Sequence, residues 1–246
     1  MASSPILFER FAEPGQLAFR ITGMKPSLRT FGPAALILVC VLTMTGCQIN
    51  LGGPKVTEKT TPDFAGITKL EVSSFNGDLT VIKAENASMT VVKRGKVEVK
   101  LERDGSTMRI TAESERNCMN CSADITLEVP QALNLKLDTG NGDVSAKDTL
   151  NVNAESGNGD VNLERVTLSA GSESSVNTGN GNVTISALSV NDGLEIQGST
   201  GNGNSEFKAT GFEVQTEDND FTAKISGSNP AKLKLETGNG DLRVNP

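Results

Sequence analysis

The sequence has no histidine, tryptophan or tyrosine, so phenylalanine supplies all of its 4% aromatic content. Without histidine there is no His-based catalytic triad and no His-ligated zinc. Without tryptophan or tyrosine, ring stacking onto sugars or bases has little to work with. A run long enough to cross a bilayer, roughly 20 apolar residues, is not found where the chain is most apolar: Ala34 to Leu42 is too short. A net basic charge is also missing. The residues before Cys47 hold Arg10, Arg20, Lys25, Arg29, Glu9 and Glu13; taking these from 23 basic and 30 acidic residues leaves 19 against 28, a net charge of −9. That balance argues against binding nucleic acid or an anionic membrane.

What is present divides the chain in two. Up to Gly46 it carries Phe8, Phe11, Phe19 and Phe31 and the short apolar run; from Cys47 on it is rich in Val, Thr, Asn, Gly and Asp. Lys25 and Arg29 precede the apolar run, and Met44-Thr45-Gly46-Cys47 follows it. Basic, apolar, then small is the order of an export signal. The segment resembles the lipobox of bacterial lipoproteins, with Met where Leu is usual three residues before the cut. The resemblance implies cleavage before Cys47 and a diacylated cysteine there. Residues 1–46 are therefore read as signal peptide, with Met24 the better start because Lys25 and Arg29 then form a compact charged head. Gln48 to Asp63, with Gly52, Gly53, Pro54 and Pro62, reads as a flexible tether. Gln48 after the cysteine would, by resemblance to lipoprotein sorting, direct the protein to the outer membrane of a Gram-negative cell.

The remainder is repetitive. Thr139-Gly-Asn-Gly-Asp-Val144 returns as Ser156 to Val161, Thr178 to Val183, Thr200 to Ser205 and Thr237 to Leu242. Thr216 to Phe221 is a degenerate copy, and Phe75-Asn-Gly-Asp-Leu79 is an earlier echo. The turn positions are Asn76, Gly77, Asn141, Gly142, Asn158, Gly159, Asn180, Gly181, Asn202, Gly203, Asn239 and Gly240. Between them lie alternating runs such as Leu133-Asn-Leu-Lys-Leu137 and Leu233-Lys-Leu235, a strand signal with one face buried. Asn-Gly between such runs often closes a hairpin, which would give an antiparallel sandwich. A period near 20 with two or three short strands suits a coil of a parallel β-helix better. Gly would then take positive φ at a corner, with Asn free to adopt a left-handed conformation. The stretch Lys69 to Val129 has longer strands and reads as irregular first coils or a more sandwich-like part.

Leu127-Glu-Val-Pro130, Leu133 to Leu137 and the tandem Gly-Asn-Gly-Asp-Val units together resemble the bacterial putative-adhesin families of β-solenoid domains found on lipoproteins. The resemblance spans about Phe64 to Pro246. It implies a single-stranded, right-handed, β-helix-like stack and an envelope location, and it brings no catalytic residues.

Stacked coils would align Asp78, Asp143, Asp160, Asn182, Asn204 and Asp241, with neighbours about 4.8 Å apart. Carboxylates about 5 Å apart are the arrangement of a retaining glycosidase. The plainer reading is that these side chains cap turns by bonding their own backbone. Oxygen-rich turns also suit calcium, but the Gly-Gly-x-Gly-x-Asp spacing of calcium-binding β-helices is absent, so no metal or cofactor is expected. Cys118-Met-Asn-Cys121, in an exported chain with no second pair, is expected to be a local disulfide. The sequence thus points to a non-enzymatic, membrane-anchored envelope module. It would be structural or adhesive, with an envelope or extracellular ligand that the sequence does not name. An envelope sensor, or a β-helix enzyme acting on acidic polysaccharide, are the alternatives.

Overall fold

A computed structural model describes residues 54–115, 118 and 120–245. The chain begins there with β1 (Lys55–Thr60) and turns into a first coil of two strands, β2 (Lys69–Ser74) and β3 (Leu79–Lys83). β4 (Ser88–Arg94) and β5 (Val97–Asp104) follow, then a second coil, β6 (Thr107–Ser114) and β7 (Ser122–Val129). Three regular coils come next: β8 (Asn134–Asn141) with β9 (Val144–Thr149), β10 (Val152–Asn158) with β11 (Val161–Leu168), and β12 (Glu173–Asn180) with β13 (Val183–Ser186) and the short β14 (Ser189–Val190). The C-terminal part holds β15 (Leu194–Asn202) and β16 (Ser205–Phe207), a hairpin of β17 (Glu213–Glu217) and β18 (Asp220–Ile225), and a final coil of β19 (Ala231–Asn239) and β20 (Leu242–Asn245).

The coils form two facing sheets. One runs β1-β4-β7-β3-β9-β11-β13-β20-β16, with β14 beside β11; the other runs β17-β18-β15-β19-β12-β10-β8-β2-β6-β5. The central strands of both are parallel and in register, so like residues stack. In one sheet Leu135 lies beside Val152 and Leu137 beside Ala154; in the other Val144, Val161 and Val183 form a column. Alternation puts these side chains between the sheets, where they are at most 4% exposed. Their burial, about 25 cal/mol per Å² of apolar surface, drives the stacking. The expected all-β solenoid with coils of about 20 residues is what forms. Antiparallel pairing is confined to the two ends, in β1-β4-β7, β5-β6 and β15-β18-β17.

Three features depart from the sequence reading. First, spatial order is not chain order: β2–β3 sits between the coil of β6–β7 and that of β8–β9, and the last coil, β19–β20, is inserted between β12–β13 and β15–β16. Second, the degenerate copy at Thr216 to Phe221 is no coil corner but the tip of the β17–β18 hairpin, with Asp218 at φ 51°. It carries Glu217 and Asn219 where the true copies carry glycine, and so lacks the backbone freedom the corner requires. Third, part of the expected tether, Lys55–Thr60, is a strand paired along its length with β4. Its Val-Thr sequence is extended by preference, and β4 offers it an open edge. All six of its residues are exposed.

The ends of the core are closed differently. At one end β4 and β5 lie on opposite sheets around the Gly95 turn. At the other, Phe207, Phe212 and Phe221 cluster with ring centroids 4.9 and 5.5 Å apart. Gly198 makes this plug fit, since a Cβ there would overlap the Phe221 ring.

Candidate functional site

The repeated feature of this fold is the edge where each coil passes from one sheet to the other; there the Thr, Asn, second Gly and Asp of the Thr-Gly-Asn-Gly-Asp unit bond the adjacent coil, and the first Gly lets the backbones approach. The hydroxyl comes first. Thr139 Oγ1 donates to the Gly77 carbonyl (2.9 Å), Ser156 to Gly142, Thr178 to Gly159, Thr237 to Gly181 and Thr200 to Gly240, each 2.8 Å. The asparagines form a second ladder in which Nδ2 donates to the Oδ1 of the adjacent coil: Asn141 to Asn76 (2.6 Å), Asn158 to Asn141 (2.6 Å), Asn180 to Asn158, Asn239 to Asn180 and Asn202 to Asn239 (2.7 Å each). Asn76 ends it by donating to the Cys121 carbonyl at 3.2 Å.

The third ladder uses the Asp position. The backbone N–H of Asp143 donates to Asp78 Oδ1 (2.9 Å), that of Asp160 to Asp143 (2.8 Å), Asn182 to Asp160 (2.7 Å), Asp241 to Asn182 (2.9 Å) and Asn204 to Asp241 (3.1 Å). These side chains therefore bond the neighbouring coil, not their own backbone as the turn rule suggests. In-register stacking brings the next coil's N–H within reach. Asp124, outside the repeat, takes the same part for Asp78 at 3.3 Å. In space the column reads Asp124, Asp78, Asp143, Asp160, Asn182, Asp241, Asn204. Asn182 stands among the carboxylates because an amide also supplies the one oxygen required.

The second glycine of each unit has φ between 122° and 156°, a region almost reserved for glycine. Its N–H donates across the stack, as from Gly159 to the Asn180 carbonyl at 2.9 Å. The paired asparagines, by contrast, are not in the left-handed region, and all but Asn76 are the last residues of their strands. Asn76, Gly77, Asn141, Gly142, Asn158, Gly159, Asn180, Gly181, Asn202, Gly203, Asn239 and Gly240 are thus gathered on one edge.

Cys118 and Cys121 are joined as a disulfide with Cα atoms 5.7 Å apart, and Cys121 packs against the turn at Gly95 and Lys96. Cys47 and the apolar run lie outside the described residues. Among the described residues no group of three or more His, Cys, Asp or Glu is placed to hold a metal, and no helix is long and apolar enough to cross a membrane.

A second corner was not anticipated. Asp148, Arg165 and Ala187, at matching places in successive coils, all take positive φ (56°, 53° and 56°). Arg165 grips Asp148 with two bonds of 2.6 and 2.7 Å and also meets Glu164, which Lys147 reaches at 2.9 Å. The guanidinium holds the Asp148 carboxyl below the ordinary carboxylate range, and Lys147 does the same for Glu164. Depressed values mean the pairs stabilise the fold above the usual carboxylate pKa and lose that effect as pH falls through the lowered one. All four are solvent-accessible, so the effect is small. The signal was readable: Lys147-Asp148 and Glu164-Arg165 are 17 residues apart, the step that separates Asn141 from Asn158.

Together these features define a two-sheeted β-solenoid whose repeated motif ties coil to coil. The chain belongs to the Toastrack DUF4097 family, whose model matches residues 67–245. Among solved structures it is similar to a "putative cell adhesion protein" of Clostridium sporogenes, with 18% identity, a TM-score of 0.58, and 78% of this chain and 99% of that one covered. A "putative adhesin" of Bacteroides fragilis covers 78% of this chain and 97% of its own at 11% identity and a TM-score of 0.33. The first likeness shows the fold; the second is too distant to add to it. No curated protein matches.

Proposed function

We propose that the chain is a non-catalytic envelope module, anchored by lipid at Cys47, whose solenoid serves as an interaction surface of the adhesin kind. The observation that carries this reading is the commitment of the motif. In the stacked repeats the Thr or Ser hydroxyl, the Asn side chain and one Asp oxygen bond the adjacent coil, and Asn182 replaces Asp with the same bond kept. A catalytic carboxylate would need one particular coil and a free oxygen pair; here the position asks only for an acceptor. Names given to similar solved structures, "putative cell adhesion protein" among them, support the adhesive reading. The basic, apolar, small order before Cys47 supports the anchor.

Two measurements test it. In a bacterial host the parent chain should incorporate labelled fatty acid and sediment with membranes, and Cys47→Ala should do neither as a processed protein. Equal labelling of Cys47→Ala would remove the anchor. Cells carrying the chain should sediment with envelope fragments or neighbouring cells several times more than cells without it. Release of reducing ends from an acidic polysaccharide, abolished by Asp160→Asn, would instead establish an enzyme.

A further inference from the structure

We propose that the end of the solenoid formed by β1 and β4, the first to follow Cys47 in the chain, carries a docking patch for the anionic phosphate headgroups of the membrane. It consists of Lys55, Lys59 and Arg94. The proposal rests on the anchor reading above for its setting but stands on separate geometry.

In the antiparallel β1–β4 pair, Lys55 lies directly opposite Arg94, and Lys59 opposite Thr90. Met89 and Val91 point into the core, so Thr90, Val92 and Arg94 face outward, and Lys55, Thr57 and Lys59 share that face. Like charges opposite each other across a strand pair repel. No described carboxylate forms an ion pair with any of the three. The other cations nearby are spoken for: Lys93 meets Glu58, and Lys96 meets Glu115 at 3.2 Å. Two carboxylates of β7 share the outer face, opposite Val92 and Ser88, and offset part of this charge, but their hydrogen bonds are to neutral donors and neither pairs with the three cations. Asp124 accepts the Asp78 N–H at 3.3 Å, and Glu128 accepts the Ser88 hydroxyl at 2.7 Å.

β1 buries none of its own side chains, so core packing does not explain its two exposed lysines. The patch is basic in a chain whose part from Cys47 on is acidic, and it sits on the edge strand that directly follows the anchor segment. Seven residues separate Cys47 from Lys55, a reach of at most about 30 Å. The opposite end differs in sign: β17 and its tip hold Glu213, Glu217, Asp218 and Asp220. An anchored chain would thus turn this basic patch toward lipid phosphate and its acidic end away, a local exception to the acidic net charge that argued against an anionic membrane. Tethering raises the local lipid concentration, so three cations suffice where a free protein would need more.

The chain has no tryptophan, which allows a single reporter. Protein purified from bacterial membranes, with Thr57→Trp or, at the far end, Val214→Trp, is added to vesicles of brominated phosphatidylglycerol or brominated phosphatidylcholine. The tryptophan at position 57 should shift to the blue and be quenched by the anionic vesicles alone, and the one at position 214 by neither. K55E/K59E/R94E should lower partitioning onto the anionic vesicles on the order of a hundredfold. Salt at 1 M, where the screening length is about 3 Å, should reverse the quenching with the charges intact. Equal response to both lipids, or indifference to both salt and charge reversal, would overturn the proposal. So would a blue shift that grows with protein concentration without vesicles, which would mean that the basic end meets the acidic end of a second copy. Fatty-acid labelling reads the anchor separately: an unlabelled Cys47 with an anion-specific response would cancel the anchor and leave the patch.

Discussion

Gly159→Val is expected to collapse the middle of the stack. Gly159 holds φ 155°, and a Cβ there would overlap the carbonyl of Gly142 in the adjacent coil. That carbonyl already receives the Ser156 hydroxyl, while Gly159's own N–H donates to Asn180. A β-branched side chain therefore faces a forbidden backbone region and a steric block that cannot move without breaking three coils' bonds. Strain and displacement together should cost about 3–5 kcal/mol. At roughly 2–4 °C per kcal/mol for a domain of this size, the thermal midpoint should fall by about 10 °C. Asp160→Asn, one residue later, should stay within about 0.5 kcal/mol of the parent. Its Oδ1 can still accept from Asn182 N–H, as Asn182 itself does for Asp241. Thermal melts of the two variants, side by side, check both. A tolerated valine beside a collapsed asparagine would mean that the carboxylate binds a ligand and the corner is not what holds the coils.

Ending the chain after Pro230 should be just as damaging, because the last coil in the chain is not the last in the stack. β19 pairs β12 on one side and β15 on the other, and β20 pairs β13 and β16. The truncation removes Ala231, Leu233, Leu235, Leu242 and Val244, each at most 3% exposed. It also interrupts all three ladders between Asn182 and Asn204. Losing a single buried Leu costs about 2–5 kcal/mol, so residues 187–229 should lose their fold and be cut at low protease concentration. Deleting β1, which buries nothing, should leave the midpoint almost unchanged. A truncated protein whose residues 187–229 resist protease would show that β15 can close directly on β12.

These two variants mark what could and could not be read from the amino-acid order. Strands such as Leu133 to Leu137 and the corners at Asn141-Gly142 and Asn158-Gly159 were legible, because period-two alternation and a repeated glycine motif are local signals. The stacking order was not. Copies of near-equal length encode that coils will stack but not which one lies next to which, and the Asn180–Asn239 bond spans 59 residues. The hairpin tip at Asp218 mimics a corner copy in Thr216 and Asp220, and only Glu217 and Asn219 in place of glycine set it apart. β1 is hidden inside the tether reading because Gly52, Gly53, Pro54 and Pro62 surround it and because its edge partner β4 is distant in sequence. The ion pairs at the second corner were readable in hindsight, from opposite charges one repeat apart.

Native-state hydrogen exchange at the C-terminus tests the central claim, that the motif binds coils in an order the chain does not follow. The N–H of Gly240 donates to the Asn202 carbonyl, and that of Leu242 to Asn204. If the final coil is inserted between two others, these amides should exchange as slowly as those of Gly159 and Val161 in the middle of the stack, and far more slowly than amides of β17, which come earlier in the chain. Rapid exchange at Gly240 and Leu242, of the kind shown by a fraying terminus, would contradict it.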